Sequence, residues 1–320
     1  MDKVVLGKTD IEVTKIGFGV LTVGATQLNL PINEGSSLLR YALERGINFL
    51  DTAEYYNTYP YIKEALKCTN YDPVISSKSL CHSYIDMEKA VEDARFTLDR
   101  DVIDIFLLHE VRSIYDYNQR QGALEALYDL KAKGRLRAIG LSTHHVDVAE
   151  FSVNEKELDV VFPLINYAGL GIRRESEIGT REDMEKAIKA LNSAGKGVYI
   201  MKALGGGNLT ANYVKALDYV FSLDGIHSVM MGFGKQKEID DIFDYINHKI
   251  DKDYVPDISN KKIHIDQGDC EGCGKCLNRC PNSAIFRNIN GLCDIDYSKC
   301  LTCGYCAPIC PVRAIIMIDK

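Results

Sequence analysis

The stretch "EGSSLLRYALERGINFLDT", residues 34–52, carries one complete structural unit. Its apolar residues first recur at helical period. Gly46 then offers the left-handed conformation that closes a helix, and "INFLDT" reads as a short apolar strand ending on an acid. The unit repeats along the chain. Strand-like pieces follow as "KIGFG" (15–19), "PVISSK" (73–78), "IDIFLLH" (103–109), "LRAIGLS" (136–142), "DVVFPL" (159–164), "GVYIMK" (197–202) and "HSVMMGF" (227–233). Between them run helical patterns such as "MEKAVEDARFTLDR", "ALEALYDLKAKG" and "REDMEKAIKALNSAG", the last two ending at Gly134 and Gly195. Alternation on this scale, over about 250 residues, predicts an α/β fold of the (β/α)₈ TIM-barrel type rather than an open doubly wound sheet. No GxGxxG turn follows the first strand, which also counts against the open sheet. Ahead of that strand, "KVVLGKTDIEVTKI" (3–16) reads as a hairpin covering the barrel floor.

The barrel pattern fades near "FDYINHKIDKDYVPD" (243–257). The expected organisation is a barrel over 1–255, a polar joint over 256–262 and a tail over 263–320. Two runs dominate that tail: "CEGCGKCLNRCP" from Cys270 and "CLTCGYCAPICP" from Cys300. Each reads C-x₂-C-x₂-C-x₃-C-P, and they are the only repeated residue motif in the chain. Of eleven cysteines, eight lie in these runs, while Cys68, Cys81 and Cys293 read as unliganded thiols.

Charge and composition narrow the classes. The chain has 320 residues, 46% hydrophobic and 26% charged, with a formal charge of −7. That acidity gives no reason to expect nucleic acid or an anionic membrane as partner. No apolar run reaches membrane-spanning length, and "MDKVVLGKTD" lacks the apolar core of a signal peptide, so the cytoplasm is the expected compartment. Cysteines in such a chain point to metal or redox chemistry rather than to disulfides.

The tail resembles bacterial two-cluster ferredoxins over roughly its last sixty residues, an expected small α+β domain. In that family the last cysteine of each run ligates the other cluster. The resemblance therefore implies one [4Fe–4S] cube on Cys270, Cys273, Cys276 and Cys310, and a second on Cys300, Cys303, Cys306 and Cys280. Pro281 and Pro311 fix the backbone after each crossing ligand. Zinc is the competing reading of C-x₂-C pairs, but it does not require four cysteines in one run, twice, each followed by proline.

In TIM barrels the strand ends at the C-terminal face carry the chemistry. Here they present Asp51, Lys78 and His109 on the second, third and fourth barrel strands, with Tyr56 just beyond Asp51. A phenol titrates near ~10, high for a proton donor at neutral pH. A neighbouring ammonium lowers that value, a carboxylate holds the ammonium, and an imidazole orients a carbonyl oxygen. Each residue also has a purely structural reading, and Tyr55 and Tyr59 share the same loop. All four at matching strand ends make coincidence improbable.

"FLDTAEYYN", "ISSK" and "DIFLLH", in that order, resemble the aldo-keto reductases, and a barrel with two ferredoxin-type runs is similar to the ferredoxin-bearing branch of that family. The resemblance implies reduction of an aldehyde or ketone, NADP(H) bound in extended form, and a catalytic tetrad of Asp51, Tyr56, Lys78 and His109. The cofactor shell departs from the family. Its Ser-Asn pair after the fifth strand is here Ser142 followed by Thr143. Its glutamine is replaced by Phe162 and its stacking aromatic by Met201. The expected asparagine is absent near Asp241 and Ile242. "GGGN", with Gly205, Gly206 and Gly207, offers close approach to a pyrophosphate. Lys235 and Lys237 stand at a helix start suited to a ribose 2′-phosphate.

Two function classes follow: an NADPH-dependent carbonyl reductase carrying two clusters, or an iron–sulfur electron-transfer or interaction protein on a barrel that no longer turns over. Nicotinamide delivers paired electrons and a cube single ones, so a flavin stays open as converter, and an external electron carrier is the expected partner of the tail.

Overall fold

A computed structural model describes residues 2–175 and 177–319. The hairpin β1 (Lys3–Val5) and β2 (Glu12–Thr14) comes first, its strands antiparallel. Then come β3 (Ile16–Gly19), β4 (Phe49–Asp51), β5 (Val74–Ser79), β6 (Ile103–Leu108), β7 (Leu136–Thr143) and β8 (Val160–Pro163). A short antiparallel pair, β9 (Arg173–Arg174) and β10 (Glu177–Ile178), precedes β11 (Gly197–Ile200) and β12 (Ser228–Met231). Strands β3 to β8, β11 and β12 form one closed parallel barrel, sealed where Met231 of β12 pairs with Phe18 of β3. Every residue of β4, β5, β6 and β8 is buried, the signature of parallel strands covered on both faces.

The helices are α1 (Ile32–Glu44), α2 (Tyr59–Leu66), α3 (Tyr84–Leu98), α4 (Ile114–Gln119), α5 (Gln121–Ala132), α6 (Val146–Ser152), α7 (Arg181–Ser193), α8 (Tyr213–Ser222) and α9 (Gln236–Ile246). Their starts and stops follow the sequence. Ser83, Ser113 and Thr180 cap α3, α4 and α7 by accepting backbone N–H bonds three residues on. Gly46, Gly134 and Gly195 adopt φ of 99°, 71° and 85° just past α1, α5 and α7. The apolar core lies between helices and barrel, while a second cluster inside the barrel joins Phe49, Leu107, Phe162 and Tyr199 to Leu6, Ile11 and Val13 of the hairpin segment. The hairpin thus stops the end of the barrel opposite the strand ends that carry chemistry.

The tail has four strands in two antiparallel pairs: β13 (Lys261–Ile265) with β16 (Ile315–Asp319), and β14 (Ile285–Arg287) with β15 (Cys293–Ile295). Lys261 and Lys262, read from sequence as part of the polar joint, already belong to β13. The cysteine repeat is a repeat of backbone too. Asp266 N–H donates to the Ala314 carbonyl at 2.7 Å, and Asp296 N–H donates to the Ala284 carbonyl at 2.7 Å. Cysteines supply much of the core, with Cys276, Cys293 and Cys306 buried among Ile263, Ile285, Ile295 and Ile315.

This small unit lies across the barrel mouth. The buried guanidinium of Arg313 donates to the Gly205 carbonyl of the barrel and to Ala307 of the tail, both at 2.6 Å. His264 Nε2 lies 3.0 Å from the Thr26 carbonyl. Among the described residues no helix is long and apolar enough to cross a membrane.

Candidate active site

Asp51 ends β4, Lys78 lies near the end of β5, His109 follows β6 directly, and Tyr56 closes a short helical turn after β4. Parallel register brings these ends together. The Lys78 ammonium donates to Asp51 Oδ2 and to the Thr52 carbonyl, each at 2.7 Å. It lies 4.9 Å from the centre of the Tyr56 ring. The Tyr56 hydroxyl is 3.3 Å from His109 Nε2. All four face one cavity of about 250 Å³. The other tyrosines of the loop separate cleanly. Tyr59 is buried, with its hydroxyl 2.7 Å from Ser77 Oγ, and Tyr55 is exposed, its ring against Gly268 of the tail.

The electrostatics depart from the sequence argument at one point. Burial pushes the Asp51 carboxyl up and the Lys78 ammonium down, each partly restored by the other. The Tyr56 phenol is not lowered. Burial raises it well above its ordinary value, and the carboxylates of Asp51, Asp269 and Glu110 add to the rise. Lys78 lies over the Tyr56 ring and is already paired with Asp51, so it offers the phenolate little net field. Burial, with Lys78 and His144 nearby, holds His109 well below its usual range, so its imidazole is neutral. Among the described residues its Nδ1 has no hydrogen-bond partner.

Three further residues reach this cavity. Lys202, just past β11, donates to Asp269 Oδ2 at 3.0 Å, and both line the pocket with the buried His144. Burial alone would lower Lys202, but the Asp269 carboxylate outweighs it and the net direction is up. Burial, with Lys202 nearby, lowers His144 to about 3. The strand-end rule would have found Lys202 and His144. Asp269 had no such signal, because it comes from the tail, one residue before Cys270.

The residues expected to hold a dinucleotide are otherwise engaged. Thr143 Oγ1 donates to the Val111 carbonyl at 2.7 Å and accepts the His145 N–H at 3.0 Å. Ser142 Oγ accepts the Glu110 N–H at 2.8 Å. Phe162 stacks on Tyr199, ring centres 4.1 Å apart. Gly205, Gly206 and Gly207 do take left-handed φ, but the chain that approaches them is the tail: Met317 N–H donates to the Gly206 carbonyl at 2.8 Å. Lys235 Nζ lies 3.6 Å from Asp319 Oδ1. Lys237 pairs with Asp241. These residues do not fit the phosphates of NADP(H).

The cysteines, by contrast, fit iron–sulfur cubes. Cys276 and Cys293 are buried in the same cluster, with Cys310, the last cysteine of the opposite run, packed against it. Cys306 feels Cys280, Cys300 and Cys303, and these four share the lining of one cleft. The structure thus brings Cys280 of the first run beside Cys300, Cys303 and Cys306 of the second. Among the described residues no three His, Cys, Asp or Glu side chains are close enough to share one metal ion. A cube binds each thiolate at a separate iron corner, so its ligands stand apart. Cys293, read as an unliganded thiol, lies buried beside the first set.

Comparison with known proteins agrees with this architecture. Residues 15–218 match the model of the aldo/keto reductase family, and residues 262–311 match that of a 4Fe-4S dicluster domain. The uncharacterized oxidoreductase YqkF of Bacillus subtilis (strain 168) is 25% identical over 221 residues, covering 64% of this chain and 68% of that protein. The L-galactose dehydrogenase of Arabidopsis thaliana is 24% identical over 219 residues, covering 64% of this chain and 66% of that one, just under two thirds of its length. An aldo-keto reductase of Bacillus halodurans, solved in its holo form, superposes with a TM-score of 0.64 at 21% identity, covering 77% of this chain and 91% of that one. With the family model spanning most of the barrel, the chain belongs to the aldo/keto reductase family, an oxidoreductase whose barrel is followed by a 4Fe-4S dicluster domain.

Proposed function

We propose that this protein reduces an aldehyde or ketone in the barrel-mouth pocket, with Tyr56 as proton donor and with electrons exchanged through two [4Fe–4S] clusters. The shared wall carries this reading: Asp269 lines the same cavity as Asp51, Tyr56, Lys78 and His109, and Cys270 follows it directly. Consecutive Cα atoms lie about 3.8 Å apart, so pocket wall and cluster ligand are joined by one peptide unit. The ligand sets are Cys270, Cys273, Cys276 with Cys310, and Cys300, Cys303, Cys306 with Cys280.

The reaction balances as one carbonyl, two electrons and two protons giving an alcohol: the C=O π bond is replaced by an O–H bond, its proton from Tyr56, and a C–H bond, its proton from water in the pocket. When bound, the clusters supply electrons singly, and a reduced low-potential carrier protein replenishes them. The chain's own groups handle the oxygen. Neutral His109, 3.3 Å from the phenol oxygen, orients the carbonyl beside Tyr56. Tyr56, held protonated by its surroundings, gives up its proton as negative charge develops on that oxygen. Solvent then returns a proton to the Tyr56 oxygen.

NADPH, implied by family membership, is the competing electron source. An anaerobic assay on the intact holoprotein separates the two: a carbonyl panel with a reduced low-potential donor and no nicotinamide. Reduction that depends on intact clusters supports the proposal. Activity that requires NADPH alone, and persists in a folded cluster-free variant, removes the clusters from the reaction. No reduction with either donor favours an interaction or electron-transfer protein on a barrel that has lost turnover.

A further inference from the structure

We infer that β16, the last strand of the tail, occupies in cis the place that a dinucleotide's phosphates would take at the barrel mouth, closing that end of the pocket to NADP(H). The sequence offers phosphates two footholds, the glycine run after β11 and the start of α9. Both are filled by the same strand.

At the glycine run the contacts are close and made by backbone. Besides the Met317 bond to Gly206, the Asn208 side-chain amide donates to the Ile315 carbonyl at 2.8 Å. A Cβ on Gly206 would stand 2.7 Å from Ile316 Cγ2, and one on Gly207 would stand 2.9 Å from the Met317 carbonyl oxygen. The bare backbone that would admit a pyrophosphate admits β16 instead.

At the start of α9 the tail supplies an anion of its own. The Asp319 carboxylate lies 3.6 Å from Lys235 Nζ and 3.5 Å from Lys261 Nζ. It also presses on the loop before the helix, where a Cβ on Gly234 would meet Asp319 Oδ2 at 3.0 Å. Glu238 takes the Gly234 N–H at 2.7 Å and pairs with Lys261. Lys235, Lys237 and Lys261 therefore each face a carboxylate already, and a ribose 2′-phosphate arriving here would meet Glu238 and Asp319. A helix N-terminus favours an anion. This one has a covalently attached anion.

This inference goes beyond the carbonyl chemistry, and its test reads binding, so its failure leaves Tyr56 untouched. Anaerobic holoprotein is titrated calorimetrically with NADPH and with NADH, for the parent, Lys235→Ala and Asp319→Asn, with iron content confirmed for each. The parent should bind both only weakly and alike, and tight binding of either overturns the inference. Lys235→Ala should change nothing, because that lysine already serves Asp319. Asp319→Asn should tighten NADPH relative to NADH by roughly ten-fold, the scale of one freed charge-assisted contact. Three further results overturn the inference: a parent that prefers NADPH ten-fold or more, a selective loss of NADPH affinity in Lys235→Ala, or an unchanged ratio in Asp319→Asn. Should Asp319→Asn fail to fold, the parent and Lys235→Ala decide alone.

Discussion

The two cysteine runs share their spacing and differ in what surrounds it. The first is tied to the barrel on both sides of Cys270: Asp269 meets Lys202 at 3.0 Å, and Glu271 lies 3.2 Å from Arg112 and 3.7 Å from Arg173. The second turns apolar side chains to solvent, with Leu301 68%, Tyr305 60% and Ile309 43% exposed. One ligand pattern has become an inner unit walled into the pocket and an outer unit facing water. Duplication fixes how a cluster is held, and neighbouring residues decide what it faces. Exposed apolar patches mark sites where partners dock, so under the proposed function the outer unit would take electrons from a carrier and the inner unit would pass them on.

Breaking the inner unit tests this contrast hardest. Cys310→Ser lies in the outer run by sequence but serves the inner cluster by the crossed assignment. It should reduce iron from about eight to about four per chain, erase the inner cluster's paramagnetic resonance signal and abolish donor-driven turnover. Loss of the outer signal instead would reverse the ligand pairing. Tyr56→Phe addresses the pocket without touching either unit: turnover should fall on the order of 10²–10⁴, with both cluster signals unchanged. A normal rate would transfer the proton to another donor.

The smallest expected effect lies on the barrel side. His109, His144 and His145 stand around the ends of β6 and β7, and burial is the main cause of each one's lowered pKa: His144 to about 3, His145 to about 4, His109 well below its usual range. In the unfolded chain each would take a proton near ~6.5. Below that pH the unfolded state binds more protons, so stability falls as pH falls and is fully present above it. Each histidine contributes up to about 1.4 kcal/mol per pH unit in that window. Denaturant unfolding of the holoprotein at pH 7 and pH 5 should show the loss, and His145→Gln should make it shallower. Stability that rises on acidification would contradict the assignment of neutral histidines.

Much of the architecture was legible before the structure. The eight apolar pieces each became a barrel strand, because a strand buried on both faces has to be apolar along its length. Asp51, Lys78 and His109 could be found because strand ends converge at one face of a barrel. What escaped was everything that depends on tail meeting barrel. A glycine run announces that something approaches closely, without saying whether it is a pyrophosphate or Met317. Lys235 looks like a free cation until Asp319 is placed beside it. The phenol's shift had the wrong expected direction for the same reason. Burial is unreadable from a loop, and Asp269, one of the carboxylates that raise Tyr56, arrives from the far end of the chain.

The guanidinium of Arg313, fastened to Gly205, has a consequence for biosynthesis. The barrel emerges from the ribosome before the tail, so its mouth is open to water when it first folds. The tail's core is built largely from cysteines, and so small a unit depends on its metal to hold shape. Where the tail waits on its metal to fold, iron–sulfur loading would be the step that seats Arg313 and lays Ile316 and Ile318 against the barrel. A chain starved of iron would keep those isoleucines uncovered, the kind of surface that chaperones and proteases recognise. Maturation and quality control would thus read the same latch.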